Sequence, residues 1–294
     1  MLPEWFLPTV GSALGLGVYD ICKKHAVRDN SVMPVLFLAT LTGSTVFVIA
    51  TAAFGRLAEA AICSLHVWWL LLAKAVLVGA SWTTVYYALR ELPISIAAPI
   101  RASAPLWTLI GAMILFQEIP SVWQAIGIAA IFIGYYFFSV LGKLEGIVFS
   151  QSKGIRLIFT GTLLGAASAL YDKYLLGVCG ISQLTVQFWF SVDLVFLLGV
   201  ALLVRMFLFQ RTHKFYWRWS IPWIGILLIA ADALYFYALS TAEAQISLIS
   251  LVRRSSCVVT FVAGVWIFHD VNVKRKAYAL ILILAGVLIL GMAK

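Results

Sequence analysis

The chain has 294 residues, of which 63% are hydrophobic and only 11% charged, with a mean hydropathy of +1.01. A water-soluble domain carries about 25% charged residues, so this composition excludes a soluble enzyme, a disordered tail and a nucleic-acid-binding module. The formal charge of +9 suits anionic lipid headgroups flanking apolar spans better than a nucleic-acid partner.

A helix needs about 20 apolar residues to cross the bilayer core. Polar breaks fall, in chain order, at KKHAVRDN, FGRLAEA, RELP, QEIPS, GKLEGIVFSQSKGIR, GVCGISQ, FQRTHKFYWRW, STAEAQ and HDVNVKRK. They separate ten runs: roughly 5–25, 33–54, 67–89, 94–116, 122–141, 157–177, 183–207, 220–240, 245–268 and 277–293. The expected fold is an all-α integral membrane protein with ten transmembrane helices. Trp5, Trp68, Trp69, Trp123, Trp217 and Trp219 stand at the ends of these runs, where amphipathic rings prefer the interface. The opening MLPEWFLP lacks a basic n-region, so the first run is expected to be retained. Cys22, Cys63, Cys179 and Cys257 are far apart and make neither a disulfide framework nor a zinc site by spacing.

Of the 21 basic residues, 14 flank one set of alternate loops and 3 the other, with Lys74 counted among the 3. The remaining four, Arg101, Lys173, Arg253 and Arg254, fall inside runs. The positive-inside rule then puts the basic loops in the cytoplasm and both termini outside.

Sliding the sequence on itself by 152 residues lays Tyr19-Asp20 on Tyr171-Asp172, Ile94-Ser95 on Ile246-Ser247, and Arg101 on Arg253. Ser103 falls on Ser255, Glu118 meets Asp270, and Gly134 falls on Gly286; Tyr87-Ala88-Leu89 falls on Tyr237-Ala238-Leu239 at a shift of 150. Five runs per half is an odd number, so the halves are expected as inverted repeats with a site near the midplane between them. The expected division is a first repeat at 1–142, a linker at 143–156 and a second repeat at 157–294.

VYDICKKHAV and ALYDKYLL open the two halves, and the first contains YYALRELPISIAAPIRASAPLWTLIGAMILFQEIP followed by IGIAAIFIGYYF. These stretches resemble the drug/metabolite transporter superfamily, EamA type. That resemblance implies two five-helix repeats and a secondary transporter, and it leaves the substrate open. Many ten-helix relatives have cytoplasmic termini, whereas the basic residues here argue for external ones. In the related triose-phosphate translocators basic residues on the corresponding fourth and ninth helices hold phosphate, which by resemblance favours an organic anion.

An ionisable group at mid-bilayer costs about 2.5–3.5 kcal/mol on insertion scales, so each is a candidate. Arg101 and Arg253 lie about 5–6 Å from their helix midpoints, and their planar forks suit carboxylate or phosphate. They, with Arg254, are expected either to hold an anionic substrate or to pair internally with Asp172, Asp193 or Asp232. Trp82, Tyr87 and Tyr237 would supply aromatic cavity walls with hydrogen-bonding tips. Asp20 and Asp172 are either symmetry-related gates or interfacial ion pairs, Asp20 with Lys23 and Lys24 on its own face. Asp193 and Asp232 have apolar counterparts, Leu41 and Trp82, which suits proton coupling or a counter-charge. Glu118 and Asp270 sit at helix ends and suit capping. Pro99 and Pro105 are expected to bend the fourth span.

The function expected is alternating-access transport of a small anionic or zwitterionic metabolite, such as an organic phosphate, carboxylate or amino acid. A flippase for a phosphate-bearing lipid headgroup and a cation or drug exporter are the alternatives. No HExxH, GxSxG or P-loop occurs, so neither catalytic residues nor a metal or other cofactor is expected. The expected partners are a small-molecule or lipid substrate and membrane lipids, with a homodimer compatible. The expected location is a bacterial inner (plasma) membrane.

Overall fold

The computed structural model describes residues 4–116, 121–144, 148–208, 214–240, 252–253 and 255–292. The described segments form helices and short connections, with no strand among them. In chain order the helices are α1 (Phe6–Val27), α2 (Val32–Ala53), the short α3 (Leu57–Ala61), α4 (Leu65–Glu91), α5 (Ile94–Ala102) and α6 (Ala104–Phe116). There follow α7 (Val122–Leu144), α8 (Lys153–Lys173), α9 (Gln183–Leu208), α10 (Ser220–Ser240), α11 (Ser256–Trp266) and α12 (Val273–Met292).

Four described helical stretches are long and apolar enough to cross a membrane: Val32–Ala53, Leu65–Glu91, Lys153–Val178 and Gln183–Phe207. Shorter apolar stretches run Val122–Phe137, Ser220–Tyr235 and Ser256–Trp266. Helices satisfy their own backbone groups, the condition hydrocarbon imposes. Their ends are closed by side chains in the connections. Ser64, Ser152 and Ser182 each accept a backbone N–H from three residues ahead, at 3.3, 3.3 and 3.1 Å. Ser121 and Gln124 form a reciprocal capping box before α7, at 3.3 and 2.9 Å.

The fourth apolar run is two helices, not one bent span. The chain leaves α5 at Ser103, whose hydroxyl donates to Ile100 O at 2.6 Å and also hydrogen bonds with the Tyr135 hydroxyl of α7. Pro105 has no N–H to offer the Arg101 carbonyl, so continuing the helix there gains no bond. The sixth run ends in a wider π turn, Tyr174–Val178, immediately after Asp172 and Lys173. The STAEAQ break and residues 245–251 of the ninth run lie outside the described residues.

The helices pack as a bundle in which α1 lies against α10 and α4 against α8; α2 meets α10 and α4 meets α9. α1 also meets α11, and α6 meets α8, while α7 packs on α12, α2 on α9 and α5 on α11. Small residues set the closest approaches. A Cβ on Gly225 of α10 would stand 2.4 Å from Gly43 N and 2.5 Å from Ala39 O of α2, which leaves the two backbones in contact. Ser12 of α1 donates to Ala231 O of α10, and Ser81 of α4 to Gly161 O of α8, both at 2.7 Å.

Candidate functional site

α4 presents a line of residues at four-residue spacing, Lys74, Val78, Trp82 and Tyr86, to one cavity of about 450 Å³. Residues four apart share a helix face, so a helix apolar enough to span hydrocarbon still carries a lysine on its inner stripe. Opposite it stand Asp172 of α8, Gln187 and Phe190 of α9, and Asp232 and Tyr235 of α10. Lys74 is only 8% exposed; its ammonium is ion-paired with Asp172 and lies 5.2 Å from the Phe190 ring centre.

A second cavity of about 290 Å³ is lined by Asp20 of α1, Arg101 of α5, Arg253 and Cys257, and by Tyr19 and Tyr235. Tyr19 and Tyr235 line both cavities, so the two adjoin across these rings. Arg101 Nη1 donates to Asp20 Oδ1 at 2.7 Å, and its side chain stays 31% exposed. Lys23, almost wholly buried, sits 2.5 Å from the same Asp20 oxygen and 3.9 Å from the Tyr19 ring centre. Arg253 pairs with Asp232 and stacks at 4.3 Å over the Tyr235 ring. Its Nε is buried and has no hydrogen-bond partner among the described residues. Because Asp232 lines the larger cavity and Arg253 the smaller, this pair joins the two.

Arg101 and Arg253 thus meet on one cavity, as their spacing suggested, and both are also ion-paired. For Arg253 the partner is Asp232, one of the three carboxylates expected. Arg101 instead takes Asp20, from its own half of the sequence. Asp172, offered as a partner for arginine, takes Lys74, a residue the sequence reading assigned to a helix flank. Fully ionised, Lys23, Lys74, Arg101, Arg253, Asp20, Asp172 and Asp232 carry one positive charge in excess.

Trp82 lines the larger cavity as expected, but Tyr87 and Tyr237 do not line either one. Each residue further along a helix is about 100° further round, so Tyr86, one residue before Tyr87, and Tyr235, two before Tyr237, take those places. Tyr87 instead packs with Arg90 and Arg205, whose guanidinium carbons lie 5.3 and 5.7 Å from its ring centre. Tyr237 is 61% exposed. Asp193 of α9 lines neither cavity. Arg254 lies outside the described residues, as does Glu118.

One end of the bundle carries the connections at 28–31, 92–93, 214–219 and 269–272, and buried polar groups tie it shut below the smaller cavity. Lys24 Nζ donates to Leu89 O at 2.7 Å and Leu92 O at 2.5 Å. Asp270 caps α5 by accepting Ser95 N at 3.0 Å, the role its position suggested, and Lys276 donates to Ser95 Oγ at 3.2 Å. Asn30 bonds both Tyr216 O at 2.8 Å and Tyr216 N at 2.9 Å. At the opposite end Arg56 holds Glu59 by two hydrogen bonds, 2.9 and 2.8 Å, which keeps that carboxyl below its usual range.

Among solved structures, one described only as "Crystal structure of protein" is similar in fold, with a TM-score of 0.64 at 14% identity. The alignment covers 98% of this chain and 96% of that one. No curated protein matches the sequence. Residues 4–140 match the EamA-like transporter family. That stretch runs from α1 to α7 and includes Asp20, Lys74 and Arg101 of the two cavities; over it the chain is similar to EamA-like membrane transporters.

Proposed function

We propose that this protein is an alternating-access secondary transporter for a small anionic or zwitterionic metabolite. The observation that carries the reading is the convergence of two guanidinium groups, Arg101 and Arg253, on one 290 Å³ cavity. A buried Arg253 Nε without a partner is costly unless something accepts from it, and a carboxylate or phosphate oxygen would. Asp172 and Asp232 in the adjoining cavity suit the cationic end of a zwitterion such as an amino acid. Asp20 and Asp172 act as gates: each holds a basic residue of another helix, Arg101 and Lys74, and releases it when substrate competes.

The proposed architecture is ten membrane helices in two inverted repeats, 1–142 and 157–294, joined by a linker at 143–156. The packing supports it, because exchanging α1 with α8, α2 with α9, α4 with α10, α5 and α6 with α11, and α7 with α12 reproduces the most extensive helix pairings among the described residues. The sealed end bears the basic connections, so it faces the cytoplasm and both termini lie outside.

The test is a thermal-shift panel of organic phosphates, carboxylates, amino acids, cations and lipid headgroups, followed by uptake into proteoliposomes. A ligand at about 100 times its Kd adds about 2.7 kcal/mol of stability. Stabilisation by anions or zwitterions that disappears in Arg101→Ala and Arg253→Ala supports the reading. Stabilisation by anions or zwitterions that survives both substitutions, or none by any anion or zwitterion, overturns it.

One observation favours a second reading, transport of a phosphate-bearing lipid. An apolar groove of about 440 Å³ runs past Phe47 and Phe54 of α2 and Leu184 of α9 to Asp232, with Arg56 on its lining. It shares Gln187, Ile229 and Asp232 with the larger cavity, a sideways route from lipid. Scrambling of a labelled phospholipid in proteoliposomes without uptake of any soluble metabolite would select this reading.

A further inference from the structure

We propose that the groove between the start of α4 and the outer face of α9 is a second binding site, for an organic monocation carried on an apolar body. α9 has two distinct faces. Phe190, Ser191 and Leu194 line the central cavity, whereas Trp189, Val192, Asp193 and Phe196 line a separate groove of about 690 Å³ completed by Trp68 and the 63–65 stretch. The two sets alternate at helical spacing, so a ligand in this groove does not touch the arginines.

The groove is mostly apolar and aromatic, and its one charged residue is Asp193. Asp193 is only 5% exposed. Trp68 lines the groove beside it, and among the described residues Asp193 Oδ2 is buried with no partner. Among the described residues no lysine, arginine or histidine forms an ion pair with Asp193, in contrast to Asp20, Asp172 and Asp232. A buried carboxylate oxygen without a donor is unfavourable, and Asp193 is part of the groove wall. The walls also discriminate by chemistry. Indole and phenyl faces attract a cation, strongest for a quaternary or alkylated ammonium that is cheap to desolvate, while offering nothing to an anion.

The surrounding structure holds these walls in place. Trp189 Nε1 donates to Ala61 O at 3.1 Å and packs at 5.6 Å against Phe188. Thr185 Oγ1 reaches Glu59 O at 3.4 Å. The segment 59–61 is thereby fastened along the first turns of α9, and Asp193 comes one turn beyond Trp189. Trp68 is fixed by its own helix start, where Ser64 caps Val67 N, and by an edge contact of 4.9 Å with Trp69.

The test is equilibrium dialysis of labelled benzyltrimethylammonium against the full chain, delipidated in uncharged dodecyl maltoside. Saturable binding is expected, with Asp193→Asn weakening it at least tenfold and Trp68→Leu several-fold. Neopentylbenzene, the uncharged isostere, should not compete. If Asp193→Asn does not fold, Val192→Phe fills the groove from the same helix and should abolish binding. Competition by phosphatidylethanolamine but not phosphatidylglycerol assigns the ammonium to a lipid headgroup, and no competition by either assigns it to a free amine. Equal binding by wild type and Asp193→Asn, or competition by neopentylbenzene, overturns the proposal.

Discussion

Arg101 Nη1 lies 2.7 Å from Asp20 Oδ1, an ion pair that fastens α5 to α1 where two cavities adjoin. Lys23, 1% exposed in its side chain, shares the same oxygen. Removing the carboxylate therefore strands two cations at once. Breaking a buried pair costs about 3–5 kcal/mol, and the exposure of Arg101 places Asp20→Asn toward the lower end. The double variant Asp20→Asn with Arg101→Gln should unfold at a higher temperature than Asp20→Asn alone. Thermal unfolding in detergent reads both, and a double variant no more stable than the single would remove the pairing from the account.

Lys74 and Asp172 connect α4 to α8 inside the larger cavity. Side chains in one ion pair show coupling of about 0.5–3 kcal/mol in a double-mutant cycle, so Lys74→Met and Asp172→Asn together should cost less than their sum. Exchanging the two, Lys74→Asp with Asp172→Lys, should restore stability while leaving uptake low. Full uptake by the exchanged protein would make this pair structural alone.

Two glycines should respond with opposite signs to the same change. In Gly225→Ala the new methyl meets the α2 backbone at Gly43 and Ala39, which cannot swing aside; overpacking of this kind costs about 1–3 kcal/mol. At Gly165 a Cβ would meet, among the described residues, only Ser81 Oγ at 3.5 Å, an ordinary contact. Gly165→Ala should raise stability by up to about 1 kcal/mol, the helix-propensity gain. Melting temperatures of the two variants, measured side by side, check the contrast.

Lys24 holds Leu89 O and Leu92 O at the sealed end. Lys24→Met keeps the length of the side chain and removes its donors, leaving those carbonyls unmet. Amide exchange across residues 92–97 should quicken by at least tenfold, because the turn into α5 loses its tether. Unchanged exchange there would show that Asp270 and Lys276 suffice to hold it.

The helical runs were legible because hydrocarbon demands them: an unbroken apolar stretch has few other structures open to it. The break at Ser103 was only half legible. Pro99 and Pro105 announced a bend, but the hydrogen bond that Ser103 makes at the break is to Tyr135, a residue of another helix. Arg101 and Arg253 stood out as charges in apolar surroundings, and their convergence followed from the repeat. Their partners did not. Asp20 and Arg101 are 81 positions apart, and nothing in either segment says that α1 passes beside α5. Lys74 was missed because it was counted with the flanking lysines that reach for headgroups, although it lies as far into its run as Arg101 does. Its four-residue spacing to Trp82 and Tyr86 was the signal available. The same geometry explains why Tyr86 and Tyr235 face the cavities while their neighbours do not: composition names the residue types, and only the roll of a helix chooses among adjacent tyrosines.

The contact between Gly43 and Gly225 leaves no clearance for sliding, since each backbone already rests in the other's groove. α2 and α10 therefore travel as a single lever, although they come from opposite ends of the chain. In the proposed alternating-access cycle the displacement has to be taken up elsewhere, and the interrupted rod at Ser103, with its short arms on either side, is where the bundle has slack to spend.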